Sequence, residues 1–342
     1  MNVVKILVSL LPVFLFLAAL VFLDSYKLVK LLSILLTLLA GAIVAVVCLL
    51  INSWALRWFA WEMAFYSRYI APLIEETCKA IYLFYLVRSK KTGFMVDAAI
   101  HGFAIGAGFA FIENIYYLQS LQSSNLFLWI IRGFGTAIMH GGTTAVLGIV
   151  AKGLSERHAS DRMRLFLPGL GLAVLIHSIF NHFLLPPVLS TASLLIALPL
   201  IIVAVFAQSE KATRHWLGIG FDTDMELLKM IDSGKIAENK IGAYLQSLQE
   251  HFPGTMVADM LCLLRIHVEL AMRAKGTLLM RGAGFRMTLD PEIKEKFDEL
   301  KYLEKSIGKT GQLAIAPFLH TSSRDLWQLY MLGKSRGVKR KA

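Results

Sequence analysis

The sequence predicts an all-α membrane protein, a bundle of about seven transmembrane helices followed by a small cytosolic helical domain. The 342 residues are 56% hydrophobic, with a mean hydropathy of +0.60. A soluble domain could not cover so much apolar surface. Charged residues are sparse before about residue 209 and frequent after it. We therefore expect a membrane domain at 1–210 and a cytosolic helical domain at 218–342.

Long apolar runs define the expected spans. In chain order they are 6–23, 31–51, 72–87, 96–118, 126–150 and two further spans that divide at Pro186–Pro187. Each of the last two has about the ~20 residues that a ~30 Å hydrocarbon core requires. Pro72 is tolerated in a first helical turn. The fourth run is rich in Gly and Ala, which let transmembrane helices approach closely.

The pattern changes from Gly218 onward. Apolar residues such as Ile236, Ile241 and Leu245 recur at helical spacing among charged residues. Pro253–Gly254 and Gly308 punctuate these helices. This segment is expected to be the cytosolic domain, and its partner is unknown from the sequence.

Loop charge predicts the orientation. The basic residues of the first part fall mainly on one side of a seven-span arrangement: Lys27, Lys30, Arg88, Lys90, Lys91, Lys152, Arg157, Arg162, Arg164, Lys211 and Arg214. The opposite side has mainly Arg57 and Arg68. Cytoplasmic loops carry the excess of Lys and Arg. The protein is therefore expected in a bacterial cytoplasmic membrane with its C-terminus on the cytoplasmic side.

The net charge of +11 does not indicate nucleic acid, because these loops and the basic tail account for it. The tail residues are Lys334, Arg336, Lys339, Arg340 and Lys341. The lipid bilayer is an expected partner of the protein, and the basic tail is expected either to contact anionic lipid or to be simply solvated. Cys48, Cys78 and Cys262 are scattered without metal-binding spacing, so free thiols are expected.

Two adjacent carboxylates and a lysine, Glu75, Glu76 and Lys79, interrupt the third apolar run. In a helix Glu75 and Lys79 share one face, at i and i+4. An ionised carboxylate in hydrocarbon costs at least ~2.5–3.5 kcal/mol on insertion scales, so intramembrane charges are functional by default. Their partners are expected on other helices of the bundle.

Three further spans carry polar groups at depth: Glu113 and Asn114; Arg132 and His140; His177, Asn181 and His182. Counting residues places Glu75, Glu113 and His177 in the outer half of the membrane. His140 counts as deeper, unless its helix begins later or bends at one of four glycines, Gly133, Gly135, Gly141 or Gly142. Arg132 is expected to extend to the outer interface.

Several histidines and glutamates from separate helices can serve different ends. They can bind a metal such as zinc, run metal-free acid–base chemistry or carry protons in a transporter. They can also merely tie helices together. The protein would then be a non-catalytic membrane adaptor whose C-terminal tail carries the function. A transporter commonly shows an internal repeat, and the sequence has none.

Four segments carry a resemblance to a known family. Glu75-Glu76-Thr77-Cys78-Lys79 is similar to the Glu-Glu-x-x-Lys signature of the PrsW family of intramembrane proteases. Phe109–Tyr117, with Glu113 and Asn114, resembles that family's second motif. His140 with its following small residues resembles the third, and His177 to Asn181 a final His-x-x-x-Asp/Asn motif. The resemblance covers about residues 70–185.

The resemblance implies an endopeptidase that cleaves a membrane-anchored protein. Glu75 or Glu76 would then activate water. The implied catalytic set is Glu75, Glu76, Glu113, His140, His177 and Asn181, supported by Lys79 and Asn114. A zinc ion on Glu76, Glu113, His140 and His177 is one expectation, and a metal-free glutamate mechanism is the other.

Overall fold

The computed structural model describes residues 3–24, 26, 28–59, 61–121, 125–157, 163–285, 292–319, 327, 331 and 332. The regular secondary structure of these residues is helical throughout. Lys27, Arg162 and the basic tail residues, which enter the charge argument, lie outside the described residues. The chain divides into two compact units, 1–210 and 211–342.

Among the described residues, nine α-helices begin in the first unit. They are α1 Val3–Leu23, α2 Leu31–Phe59, α3 Met63–Phe65, α4 Ala71–Arg88, α5 Met95–Ser120, α6 Leu126–Ile130, α7 Ala137–Arg157, α8 Leu167–His182 and α9 Pro187–Asp232. π-helical turns at Tyr66–Ile70 and Ile131–Thr136 continue into α4 and α7, and a 3₁₀ turn at Met163–Phe166 precedes α8.

Within the described residues, six helical segments are long and apolar enough to cross a membrane. The shorter helix α4 carries the charged residues of the third predicted span. The structure therefore confirms the predicted all-α polytopic bundle. Large aliphatic side chains such as Leu32, Leu50 and Leu200 are exposed on the outside of this unit, as lipid-facing residues should be.

Helix α5 is the central element of the membrane unit. Every residue from Val96 to Ala110 is buried, and α5 packs against α1, α2, α4 and α7. Its glycines allow this because a Cβ on Gly106 would collide with the His140 carbonyl oxygen of α7. A Cβ on Gly108 would meet the backbone of Leu38 on α2 in the same way. The Gly-rich sequence of the fourth span thus sets two close helix–helix contacts.

Helix α9 extends further than the sequence pattern indicated. The seventh span continues without interruption through Gly218 and ends at Asp232. The first break is Gly234, which has a φ of 74° and follows the helix end. No proline interrupts residues 200–232, and an isolated glycine only weakens a helix. The change in composition near Gly218 therefore does not coincide with a helix end.

The second unit is helical as well. Beyond the end of α9 it contains α10 Lys240–Ser247, α11 Gly254–Gly282 and α12 Glu292–Ile315, the last interrupted at Gly308. A core cluster joins Leu227, Ile236, Leu264 and Val268. A buried ion pair also holds α9 to α11 here, with Lys275 Nζ 2.7 Å from Asp224 Oδ2.

Candidate active site

Glu76 of α4 lies at the centre of a buried polar cluster. Its side chain is fully buried. Its Oε1 accepts hydrogen bonds from Lys79 Nζ at 2.8 Å, from His177 Nδ1 at 2.9 Å and from Thr143 Oγ1 at 3.2 Å. Three helices, α4, α7 and α8, therefore meet at one carboxylate oxygen.

Lys79 connects this carboxylate to His140. Its Nζ lies 2.9 Å from His140 Nδ1 and 4.2 Å from the centre of the Phe109 ring. An ammonium group can only donate, so His140 Nδ1 accepts and the proton of a neutral ring sits on Nε2. That nitrogen is 3.1 Å from Glu113 Oε2 and donates to it. A continuous path of hydrogen bonds thus runs from Glu76 to Glu113.

Arg132 and Asn114 hold Glu113 from the other side. Arg132 Nη2 is 3.4 Å from Glu113 Oε2, and Arg132 Nε donates to Asn114 Oδ1 at 3.0 Å. Asn114 Nδ2 donates to the Ser9 carbonyl of α1 at 2.8 Å. The prediction that Arg132 reaches the outer interface is wrong, because its guanidinium group faces inward to a carboxylate and an amide.

Glu75 occupies a different environment from its neighbour. Its Oε2 is 4.0 Å from His177 Nε2. His177 donates through Nδ1 to Glu76, so its Nε2 keeps a free lone pair directed to this side. Asn52 of α2 donates to Glu75 Oε1 at 3.3 Å, and Tyr66 donates to Asn52 Oδ1 at 2.8 Å.

The two π-helical turns lie beside the cluster. Ile131–Thr136 contains both Gly133 and Gly135, where a bend was anticipated, and it ends four residues before His140. A π turn takes more residues per turn than an α turn, so a count at α-helical rise places His140 too deep. The other π turn, Tyr66–Ile70, presents Tyr66 to Asn52. Such turns occur frequently at functional sites.

The remaining polar residues of the spans are placed elsewhere. Asn181 lies one helical turn after His177, and its Nδ2 donates to the Ser67 carbonyl at 2.9 Å. His182 bonds Tyr69 Oη at 3.0 Å. His101 bonds Thr37 Oγ1 at 3.0 Å, on the side of α5 that meets α2. Asn181 therefore ties α8 to the turn that precedes α4, and its described hydrogen bond does not involve the cluster.

A cavity of about 90 Å³ adjoins the cluster. Glu75 and Glu113 line its polar side. The other lining residues come from α2 and α5: Ala45, Cys48, Leu49, Asn52, Phe109, Ile112, Tyr116 and Tyr117. Of the two adjacent carboxylates, Glu75 is thus the one that borders open space.

The donor set fits a metal ion such as zinc. Within the described residues, one ligand atom each from Glu75, His140 and His177 lies within 4.8 Å of the others. Two atoms on one zinc ion lie at most about 4.2 Å apart, given bonds of about 2.1 Å. The three side chains would have to move closer together, and the hydrogen bonds of His140 to Lys79 and Glu113 would have to rearrange, because they occupy both nitrogens of the neutral ring.

This set differs from the predicted one. The group contains Glu75, whereas the predicted ligands were Glu76 and Glu113 with the same two histidines. Oε1 of Glu76 accepts three hydrogen bonds, and its Oε2 is buried without a described hydrogen-bond partner. Glu113 lies next to this group, because its Oε2 accepts a hydrogen bond from His140 Nε2. A carboxylate that orients a ligating histidine through its second nitrogen is a common feature of zinc sites, and Glu76 stands in that relation to His177.

Comparison with known proteins decides the family. The model of the family described as PrsW family intramembrane metalloprotease matches residues 30–207, more than half of the chain. The chain belongs to the PrsW family. It is therefore an enzyme, a protease with membrane-spanning helices, which favours catalysis over the transporter and adaptor alternatives. The PrsW match contains every candidate residue from Glu75 to Asn181.

A curated relative agrees with this assignment. Protease PrsW of Clostridioides difficile (strain 630) is 25% identical over 172 residues, covering 47% of this chain and 71% of the relative. No solved structure matches the chain. The second unit lies beyond the PrsW match, which ends at residue 207.

Thr143 and Asn52 contact the cluster but were not among the residues predicted from the sequence. Thr143 follows His140 by three residues, so the two share a helix face, and this spacing could have identified it. Asn52 is the first amide after a long apolar run, but nothing in the sequence shows that α2 packs on α4. Such partners across helices require the fold.

Proposed function

We propose that this protein is an endopeptidase that hydrolyses a peptide bond of a membrane-anchored protein, with water activated at Glu75. The observation that carries the proposal is the position of Glu75 between His177 Nε2 and the cavity. A water held between a carboxylate oxygen and an imidazole lone pair has acceptors for both of its protons.

The two adjacent carboxylates have separate roles in this proposal. Glu75 borders the cavity and takes a proton from the attacking water. Glu76 is enclosed by Lys79, Thr143 and His177, so it fixes the orientation and tautomer of His177. The proton held by Glu75 would then pass to the departing amine nitrogen.

The far side of the cluster supplies positive charge. Lys79 and Arg132 flank His140 and Glu113 in a buried, water-poor environment. Fixed charges and donors in such a place stabilise the negative charge that develops on the attacked carbonyl oxygen. Asn181 acts indirectly in this scheme, because it fixes α8 against the Ser67 carbonyl.

A zinc ion would be held by Glu75, His140 and His177, with Glu113 nearby. When bound, such an ion polarises the carbonyl and lowers the pKa of a bound water to about 7. In that form Glu75 and His177 would be ligands and would no longer accept the water's protons, while Glu76 would still orient His177 and Arg132 would still hold Glu113.

Reporter cleavage tests the proposal. The purified protein in lipid vesicles should cut a membrane-anchored reporter, and the double variant Glu75→Gln/Glu76→Gln should not. Gln keeps the shape of Glu and removes proton acceptance, so the expected loss is ~10²-fold or more. Glu62→Gln, at an exposed position before α3, is the matched control and should keep full activity. Full activity in the double variant would end the proposal.

Chelation separates the two forms of the mechanism. Loss of cleavage with a chelator, recovery with Zn²⁺ and about one zinc per protein by elemental analysis would favour the metal form. Cleavage that resists the chelator, in protein without bound metal, would favour the glutamate alone. His177→Ala should lower the zinc content in the first case.

A further inference from the structure

Beside the polar groups of Glu75, Glu113, Asn52, Tyr116 and Tyr117, the cavity has an apolar lining. Ala45, Cys48 and Leu49 of α2 face Phe109 and Ile112 of α5 across it, and Ala45, Cys48 and Phe109 are themselves buried. Water has few partners on such a wall, since a bound water needs two to four polar contacts. The wall suits an apolar group next to the reacting atoms.

The cavity reaches the outer surface of the bundle. Two of its lining residues, Leu49 of α2 and Tyr116 of α5, are exposed, at 38% and 45%. Both sit on helices that cross the membrane, so this edge faces lipid. A group held in the cavity can therefore belong to a polypeptide that approaches from the bilayer between α2 and α5.

We propose that the cavity is a specificity pocket for one branched aliphatic side chain of the substrate, at a residue flanking the cleaved bond. This inference rests on the proposed function. The volume supports an aliphatic group: an apolar cavity of ~150 Å³ holds benzene, whereas this one measures about 90 Å³. This volume is nearer to the size of a branched aliphatic group than to the cavity that holds a benzene ring.

Ala45 and Leu49 control the size of the pocket. Ala45 is 5% exposed, so a longer side chain there would project into the cavity. Leu49 forms part of the lipid-facing edge, and shortening it would enlarge the space. One methylene in an apolar pocket changes discrimination by ~10–200-fold, so either change should alter substrate preference.

The test measures preference ratios. Mass spectrometry of the products first locates the cleaved bond in the reporter. Reporters with Ala, Val, Leu or Phe at each flanking residue are then compared by kcat/KM. Wild type should prefer Val or Leu to Phe by at least ~10-fold at one flanking position. Ala45→Leu should shift the preference to the reporter with Ala at that position. Leu49→Ala should raise kcat/KM for the Phe reporter, relative to the Val and Leu reporters, by at least ~10-fold.

Leu50→Ala is the matched control, since Leu50 is exposed on α2 outside the cavity and should leave the ratios unchanged. If Ala45→Leu does not fold, Leu49→Ala decides alone. Unchanged ratios in Leu49→Ala, with cleavage still abolished by Glu75→Gln/Glu76→Gln, would overturn the pocket and leave the proposed function standing. Absence of cleavage of every reporter by wild type would overturn both.

Discussion

At the scale of single residues, Lys79 is the member of the cluster with the most demanding environment. It is fully buried and contacts Glu76, His140 and the Phe109 ring. Removing one partner of a buried ion pair leaves an uncompensated charge, at a cost of ~3–5 kcal/mol. The ion pair therefore fixes the arrangement of the site whatever its net contribution to stability.

We predict that Lys79→Met lowers the melting temperature of the protein in detergent by roughly 6–20 °C, at ~2–4 °C per kcal/mol. Adding Glu76→Gln removes the orphaned charge, so the double variant should lose much less than the sum of the two single variants. Additive losses in this thermal-shift cycle would show that the two groups do not interact.

The residue types of the site could be predicted from the sequence, but their pairing could not. Glu75, Glu113 and His177 stand out because charged and imidazole groups are rare in apolar spans. The inward turn of Arg132 depends on a carboxylate of another helix, 3.4 Å away. The division of labour between Glu75 and Glu76 likewise depends on which side of α4 faces Lys79, His177 and the cavity, and that follows from packing.

At the scale of elements, hydropathy located every long helix of the membrane unit, because length and apolarity dominate that signal. It did not locate the π turn at Ile131–Thr136 or the end of α9 at Asp232. The π turn depends on a shift in backbone hydrogen bonding that residue counts at α-helical rise do not register. The end of α9 was missed because the composition changes at Gly218, whereas the first backbone break is at Gly234. The glycines of α5 were recognised as packing residues, but only the fold shows which backbone each one meets.

We predict that Gly106→Ala reduces both stability and cleavage, because the added methyl group would collide with the His140 carbonyl and move α7 relative to α5. Gly171→Ala is the control, since nothing lies within 4 Å of a Cβ there. Replacing that helical glycine should be neutral or stabilise by up to ~1 kcal/mol. Thermal melting measures the stability of each variant, and the reporter assay measures its cleavage rate. Equal melting temperatures and equal cleavage rates in the two variants would contradict the packing argument.

At the scale of the whole molecule, loop charge predicts that Asn125 and Pro186 face outside and Arg157 faces the cytoplasm. Single cysteines at these positions, in a protein without Cys48, Cys78 and Cys262, can be labelled with an impermeant maleimide in intact cells. Asn125→Cys and Pro186→Cys should react, and Arg157→Cys should react only after lysis. The reverse pattern would move Glu75 to the other half of the membrane.

We also predict that residues 211–342 fold alone, since they bury the cluster of Leu227, Ile236, Leu264 and Val268 and the Asp224–Lys275 ion pair. The isolated fragment should show a helical circular dichroism spectrum and a cooperative melt. Lys275→Met should lower its midpoint, because it removes the ammonium group that pairs with the buried Asp224 carboxylate. A helical spectrum without a cooperative transition would argue against an independent domain.

The central claim is that Glu75, and not its neighbour, activates water. The most direct measurement is the turnover number of Glu75→Gln on the membrane-anchored reporter, beside its melting temperature. The account predicts a fall of ~10²-fold or more in kcat. The melting temperature should stay near that of wild type, because Glu75 borders the cavity. A turnover number within a few-fold of wild type would contradict the account.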